Sequence, residues 1–222
     1  IVQRLDYDKA EVKMWVSNQL EENFRVHACQ KEPWTVKFIE AIPEGSWFFD
    51  IGANVGSYTL VAVARGGLSV AAIEPGFASY HQLCRNLALN NWLDKALCIC
   101  VALGSGNGYD WLNYNDLRPG ANELMLGGDN LKKGTWHRQL VPIWTFDTLV
   151  QSLNITVPFY LKIDVDFQED IVLTGAVQSL QNPNLQGMII EIERQSETEL
   201  LGFLEQFGWQ MVDRIDRREA SP

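Results

Sequence analysis

The segment Phe48-Phe49-Asp50-Ile51-Gly52-Ala53-Asn54-Val55-Gly56-Ser57-Tyr58 constrains this chain most: an apolar run ends in an acid, passes two glycines four apart and continues with helical character. The next strand-like run, Ser69 to Ile73, closes on a second acid, Glu74. Strand, glycine-rich turn, helix, strand and acid is the order in which an open α/β sheet holds a nucleoside. Glycine lets the backbone approach the ligand, and the acid accepts hydrogen bonds from ribose hydroxyls. An adenosine-containing cofactor is expected.

Spacing narrows the choice of cofactor. A dinucleotide fingerprint needs a middle glycine so that a pyrophosphate can lie on the helix N-terminus, and here that position is Asn54. Asp50, Gly52, Asn54 and Gly56 instead resemble the D-x-G-x-N-x-G loop of class I methyltransferases. The ligand of those enzymes, S-adenosylmethionine, is a cation without phosphate, and acids near its sulfonium and amino groups are electrostatically favourable. The resemblance implies cofactor contacts from Asp50, Gly52, Ala53, Asn54, Gly56, Ser57, Tyr58, Glu74, Pro75, Ala102 and Leu103. The plainer reading is a tight turn at Gly52 and Gly56, with Asp50 capping a helix.

From Trp47 onward strand and helix patterns alternate, which predicts an α/β fold with a doubly wound, mostly parallel sheet. Strands are expected at 47–51, 69–74, 96–103, 158–165, 187–192 and 209–215, and helices at 57–65, 79–90, 169–180 and 196–207, the last with a Ser196/Glu199 capping box. Residues 1–45 are expected to form an N-terminal helical cap. In it, Asp8 and Glu11 open a helix carrying Val12, Trp15, Val16, Leu20 and Phe24, and Pro33 opens a second one with Trp34, Phe38 and Ile39. Residues 46–222 are expected to form an S-adenosylmethionine-binding methyltransferase domain. Within it, 104–139 break the rhythm and are expected to make a long loop or hairpin beside the substrate, with Trp111, Tyr114 and Trp136 available to stack and Lys132, Lys133, His137 and Arg138 as a local basic run.

At 222 residues, 46% of them apolar, the chain suits a single substantial core. Its net charge of −10 disfavours unaided binding to nucleic acid or anionic lipid, so a small-molecule or saccharide partner is expected, without nucleic acid and without a membrane span. Cys29, Cys84, Cys98 and Cys100 include no C-x-x-C pair and read as reduced core residues, which points to a cytoplasmic setting. The chain begins at Ile1 and ends soon after the sixth expected strand, so a longer parent protein is expected.

Lys162, Asp164 and Asp166 share one face of a strand whose carboxyl end should meet the cleft of an open sheet. Burying such charges costs several kcal/mol unless they pair or face solvent. The run Lys162-Ile163-Asp164-Val165-Asp166, with Glu169, Val172-Leu173 and Gly175-Ala176, is similar to the K-I-D-V-E-G-x-E-x-x-V-L-x-G-A segment of the FkbM-type methyltransferase family. Phe49 to Gly56, Glu74-Pro75, Asn86 to Asn90, Thr145 to Leu149 and Ile190-Glu191 follow in that family's order. The resemblance implies O-methylation of a hydroxyl on a saccharide or secondary metabolite with S-adenosylmethionine. Two departures are Asp166 in place of Glu and Phe167 in place of Gly, the latter altering the pocket.

Methyl transfer to oxygen needs a base for the acceptor's proton. Asp164 or Asp166 is the candidate, with Lys162 and Glu191 orienting the pair, and His137 is the competing base. A simple Lys162–Asp164 ion pair, with Asp166 and Glu169 capping the next helix, is the structural alternative. Asp164, Asp166 and Glu191 also form an oxygen set suited to magnesium, although the resemblance implies no metal. Competing function classes are a nicotinamide-dependent oxidoreductase, and a binding module that keeps the methyltransferase fold without catalysis.

Overall fold

The computed structural model describes residues 1–121, 125–127, 137–166 and 168–216. Trp136, Phe167, Lys132 and Lys133 lie outside the described residues. The chain opens with strands β1 (Val2–Arg4) and β2 (Lys13–Trp15), a π-helical turn at Glu21–Arg25, and helices α1 (Ala28–Lys31) and α2 (Pro33–Ala41). The central run is β3 (Trp47–Ile51), α3 (Ser57–Arg65), β4 (Ser69–Ile73), α4 (Phe77–Leu89), β5 (Ala96–Ile99) and β6 (Ala102–Leu103). Three strands follow, β7 (Gly108–Tyr114), β8 (Met125–Leu126) and β9 (His137–Trp144), with β7 paired antiparallel to both of the others. The chain continues through α5 (Phe146–Ser152), β10 (Phe159–Ile163), α6 (Glu169–Thr174), α7 (Val177–Leu180), β11 (Leu185–Ile190) and α8 (Glu197–Glu205).

The main sheet is parallel in the order β11-β10-β3-β4-β5, so the winding reverses between β3 and β10. Both faces are covered, which is why the inner strands read as near-continuous apolar runs. Phe48, Val70 and Ala72 pack on one face with Ile39, Leu60, Leu83 and Leu87, while Phe49, Ile51, Leu161 and Ile163 pack on the other with Phe146, Val172, Leu173 and Leu200. Among the described residues no helix is long and apolar enough to cross a membrane. All four cysteines are free.

The expected first helix is a correction. Val12, Met14 and Val16 are buried at a spacing of two, the period of a strand, and β2 pairs antiparallel with β1 in register Gln3↔Met14. Residues 1–45 are thus a hairpin plus short helices, and the capping acid is Asp6 rather than Asp8, its carboxylate accepting from Cys29 N at 2.9 Å and Gln30 N at 2.8 Å. The hairpin is fastened to α4 by amide side chains. Asn86 accepts from Trp15 N at 2.8 Å and donates to Val55 O at 2.8 Å, while Asn90 holds both Lys13 N and Lys13 O.

Other expectations shift too. The run 96–103 divides between the main sheet and a second sheet of order β6-β9-β7-β8, so residues 104–139 include a real antiparallel hairpin. The helix expected over 169–180 breaks where a Cβ on Gly175 would lie 2.0 Å from Gly104 O, a close backbone approach that only glycine permits. Ser196 makes no capping hydrogen bond. Residues 209–215 form no strand: with no paired ladder, Val212 is 97% exposed, and Arg214 ties the segment to Glu197 at 2.6 Å.

Candidate active site

The cavity lies at the reversal of winding, beyond the carboxyl ends of β3, β10 and β11, where open α/β sheets place their ligands. Its volume is about 100 Å³. Gly52, Ala53, Asn54, Ser57 and Tyr58 line one side, and Lys162, Asp164, Asp166 and Glu191 another, so several of the expected cofactor contacts and all four expected catalytic residues meet in one place. Asp50, Gly56, Glu74, Pro75, Ala102 and Leu103 do not line it.

Tight backbone approach builds the loop. A Cβ on Gly52 would sit 1.9 Å from Asp164 O, and one on Gly56 would sit 2.4 Å from Leu83 Cδ1. Gly52 and Gly56 adopt φ of +77° and +90°, and Asn54 joins them at +52°, a region that favours glycine and tolerates asparagine. The loop therefore rests against the strand end that carries the carboxylates.

Asp50 sits beneath the cavity. Fully buried, it accepts from Thr59 Oγ1 at 2.6 Å through Oδ2, and its Oδ1 faces Lys162 Nζ at 3.2 Å without hydrogen-bond alignment. Lys162 Nζ also reaches Asp164 Oδ2 at 3.1 Å and stands 5.1 Å from the centre of the Tyr58 ring. Burial works against the Lys162 charge, but Asp164 and Asp50 outweigh it and hold the ammonium's pKa above the usual lysine value. The ion pair of the plainer reading is present, embedded in a chain from Thr59 to the cavity.

Glu74 lies behind the loop. Its carboxylate accepts from Asn54 N and Gly76 N, both at 2.8 Å, so it fastens the glycine turn to its own strand end. Burial pushes its pKa up to about 7 against the pull of those N–H groups and Arg25. Pro75 O accepts from Gln139 Nε2 at 3.1 Å, and Gln139 Oε1 accepts from Phe77 N at 3.2 Å, so β9 braces the turn after the acid. Ala102 and Leu103 are buried in β6, paired with Ile143 and Trp144.

The N-terminal segment supplies the far wall, which spacing in the sequence does not reveal: Phe24, Arg25, Ala28, Lys31 and Glu32 all line the cavity. Ser57 Oγ donates to Arg25 O at 2.9 Å and Tyr58 Oη to Ala28 O at 3.1 Å, so two expected cofactor residues hold this wall in place. The Arg25 guanidinium donates to Gly120 O through Nε at 3.2 Å and Nη2 at 2.7 Å, and Asn54 Nδ2 donates to Ala121 O at 3.1 Å. Residues 119–121 thus strap the wall to the glycine loop.

Other candidates fall away. His137 is exposed at the start of β9 and does not line the cavity. Arg138 stacks over the Trp111 ring at 4.7 Å, and Tyr114 is buried against Phe77. Among the described residues no three His, Cys, Asp or Glu side chains converge as metal ligands, so Asp164, Asp166 and Glu191 are not gathered into the oxygen set considered for magnesium.

A model of the methyltransferase FkbM domain matches residues 50–215. The fold is similar to that of a SAM-dependent methyltransferase from Agrobacterium tumefaciens, with 11% identity, a TM-score of 0.50, and coverage of 93% of this chain and 58% of that one. This chain therefore spans little more than half the length of that protein. The N-terminal domain of human METTL16 in complex with SAH aligns with 12% identity and a TM-score of 0.41 over 88% of this chain and 64% of that one. No curated protein matches the sequence.

Proposed function

The chain belongs to the FkbM methyltransferase family, and from that premise we propose that it is an S-adenosylmethionine-dependent O-methyltransferase acting on a hydroxyl of an uncharged small molecule or saccharide. The observation that carries the reading is the cavity in which the glycine loop faces Asp164, Asp166 and Glu191.

The residues fit the cofactor. Gly52 leaves no room for a side chain between loop and strand end, Glu74 holds the glycine turn in shape from behind, and the carboxylates of the cavity suit a cation. When bound, S-adenosylmethionine supplies a methyl group already activated on a positively charged sulfur. What remains for the protein is alignment of the acceptor and removal of its proton.

Asp164 and Asp166 divide that work. Lys162 pairs with Asp164 at 3.1 Å, which makes Asp164 a fixed electrostatic partner. Asp166, two residues further out and beyond the Lys162 pair, is the base for the acceptor hydroxyl, with Glu191 from the neighbouring strand end orienting the acceptor. The net charge of −10 supports an uncharged acceptor over nucleic acid.

The test is calorimetric titration with S-adenosylmethionine, its demethylated product and NAD, followed by methyl transfer to a panel of saccharides and polyhydroxylated metabolites. Binding of the two adenosyl ligands without NAD is expected. Asp166→Asn should lower kcat by roughly 10²- to 10⁴-fold with cofactor affinity unchanged. Binding of NAD alone would support an oxidoreductase, and tight adenosyl binding with no turnover on any acceptor would support a binding module.

A further inference from the structure

The cavity has a closed end and an open one. Ala53, Val55, Ser57, Tyr58 and Lys162, which line it at and beside the glycine loop, are buried, whereas Asp164, Asp166 and Glu191 at the strand ends are partly open to solvent. Phe24 lines it from the N-terminal wall and is 51% exposed. A cofactor gripped by the glycine loop fills the closed end, so an acceptor arrives from the solvent side, where Phe24 and the three carboxylates stand.

The backbone of Phe24 is held while its ring is left uncovered. It sits in the π-helical turn Glu21–Arg25, a rare helical form that recurs at functional sites. That turn is pinned on both sides of residue 24: buried Glu21 accepts from Ser17 N at 2.7 Å and Asn18 Nδ2 at 3.0 Å, and Arg25 O accepts from Ser57 Oγ at 2.9 Å. Tyr58, also an aromatic residue of the lining, has its ring beneath Lys162 Nζ at 5.1 Å and its hydroxyl on Ala28 O at 3.1 Å. Leaving a phenyl ring half exposed forgoes much of the stabilisation that its burial would give, and here the ring shares a cavity with acids. A ligand that satisfies both has an apolar face and hydroxyls at its edge. A pyranose ring has this form, with C–H bonds that pack on the negative face of an aromatic ring and hydroxyls that donate to carboxylates.

We infer that Phe24 determines acceptor specificity by stacking: its ring receives the apolar face of a sugar whose hydroxyls meet Asp166 and Glu191. The inference deepens the methyltransferase reading above and rests on it. Its test measures binding of uncharged probes, the methyl glycosides of D-glucose, D-galactose, D-mannose and L-rhamnose, to protein saturated with the demethylated cofactor product, by saturation-transfer NMR and titration. At least one glycoside should bind the wild type, with saturation concentrated on the protons of one ring face. Phe24→Ala and Phe24→Leu should each weaken it by roughly three- to tenfold, the share of an aromatic contact beyond its area, and Phe24→Trp should retain it. Calorimetry on the same samples should give one affinity for the demethylated product in every variant, since the half-exposed ring carries little core packing. No binding of any glycoside to the wild type, or glycoside affinity unchanged in Phe24→Ala or Phe24→Leu, would overturn the inference and leave the cofactor reading intact. Loss of affinity for the demethylated product in Phe24→Ala would place the ring against the cofactor and overturn it as well. Failure of the wild type to bind that product would overturn both readings.

Discussion

Lys162 and Asp164, two residues apart on one strand, are joined at 3.1 Å at the edge of the cavity, while the same ammonium reaches down 3.2 Å to the fully buried Asp50. One cation thus ties a structural acid to one that faces the cavity. Replacing Lys162 by Met leaves Asp50 buried without a counter-charge, a loss of about 3–5 kcal/mol by urea unfolding. The double variant Lys162→Met/Asp50→Asn should regain a large part of that loss, because the amide side chain keeps an acceptor for Thr59 without a stranded charge. Equal instability of single and double variants would show that the pair is not what binds these strands.

Glu74 makes stability depend on pH in an unusual direction. Its folded-state pKa of about 7 stands above the ordinary value of 4.5, so between those limits the folded protein holds a proton that the unfolded chain has lost. The contribution is complete below pH 4.5 and lost as pH rises through 7, amounting to about 3 kcal/mol at most. Unfolding free energy measured from about pH 5 to 8 should fall over this window, and Glu74→Gln should flatten the slope. A slope unchanged by that substitution would remove Glu74 as its source.

Gly52 and Gly45 share a left-handed backbone but differ in surroundings: a Cβ on Gly45 meets nothing within 4 Å, while one on Gly52 collides with Asp164 O. Gly45→Ala is expected to cost about 1 kcal/mol, the conformational penalty alone. Gly52→Ala should exceed about 4 kcal/mol or prevent folding, since backbone cannot move aside as a side chain can. Thermal unfolding of the two variants side by side measures the difference.

Asn86 is fully buried and satisfies Trp15 N and Val55 O together. Asn86→Leu leaves both groups without that partner and should cost about 2–4 kcal/mol. Hydrogen exchange should then speed up at Trp15. Protection retained there would mean that the hairpin is held by its apolar contacts alone.

The legible parts of the sequence are those where a local pattern has one physical cause. Gly52 and Gly56 with Asp50 mark the turn, and apolar runs without alternation mark strands covered on both faces. The first helix is misread because Val12, Trp15 and Val16 suit a helical period, whereas the buried Met14 between them decides for a strand. Residues 209–215 alternate well enough, but a strand needs a neighbour, and alternation does not say whether one is present. The wall from Phe24 to Glu32 is not legible at all, because its place depends on hydrogen bonds from Ser57 and Tyr58 to backbone carbonyls, which any residue offers.

The bolts from Ser57 and Tyr58 bear on how this protein is handled at the bench. Expression boundaries drawn at residue 50, where the family match begins, would discard Arg25 and the whole outer wall, and would leave the amide of Asn86 facing water instead of Trp15. A trimmed version of that kind would also cut Trp47, Phe48 and Phe49 from the central strand β3, so the glycine turn would lose its footing in the sheet as well as its wall. Negative results from shortened clones would then reflect the cloning scheme and not the chemistry of the enzyme.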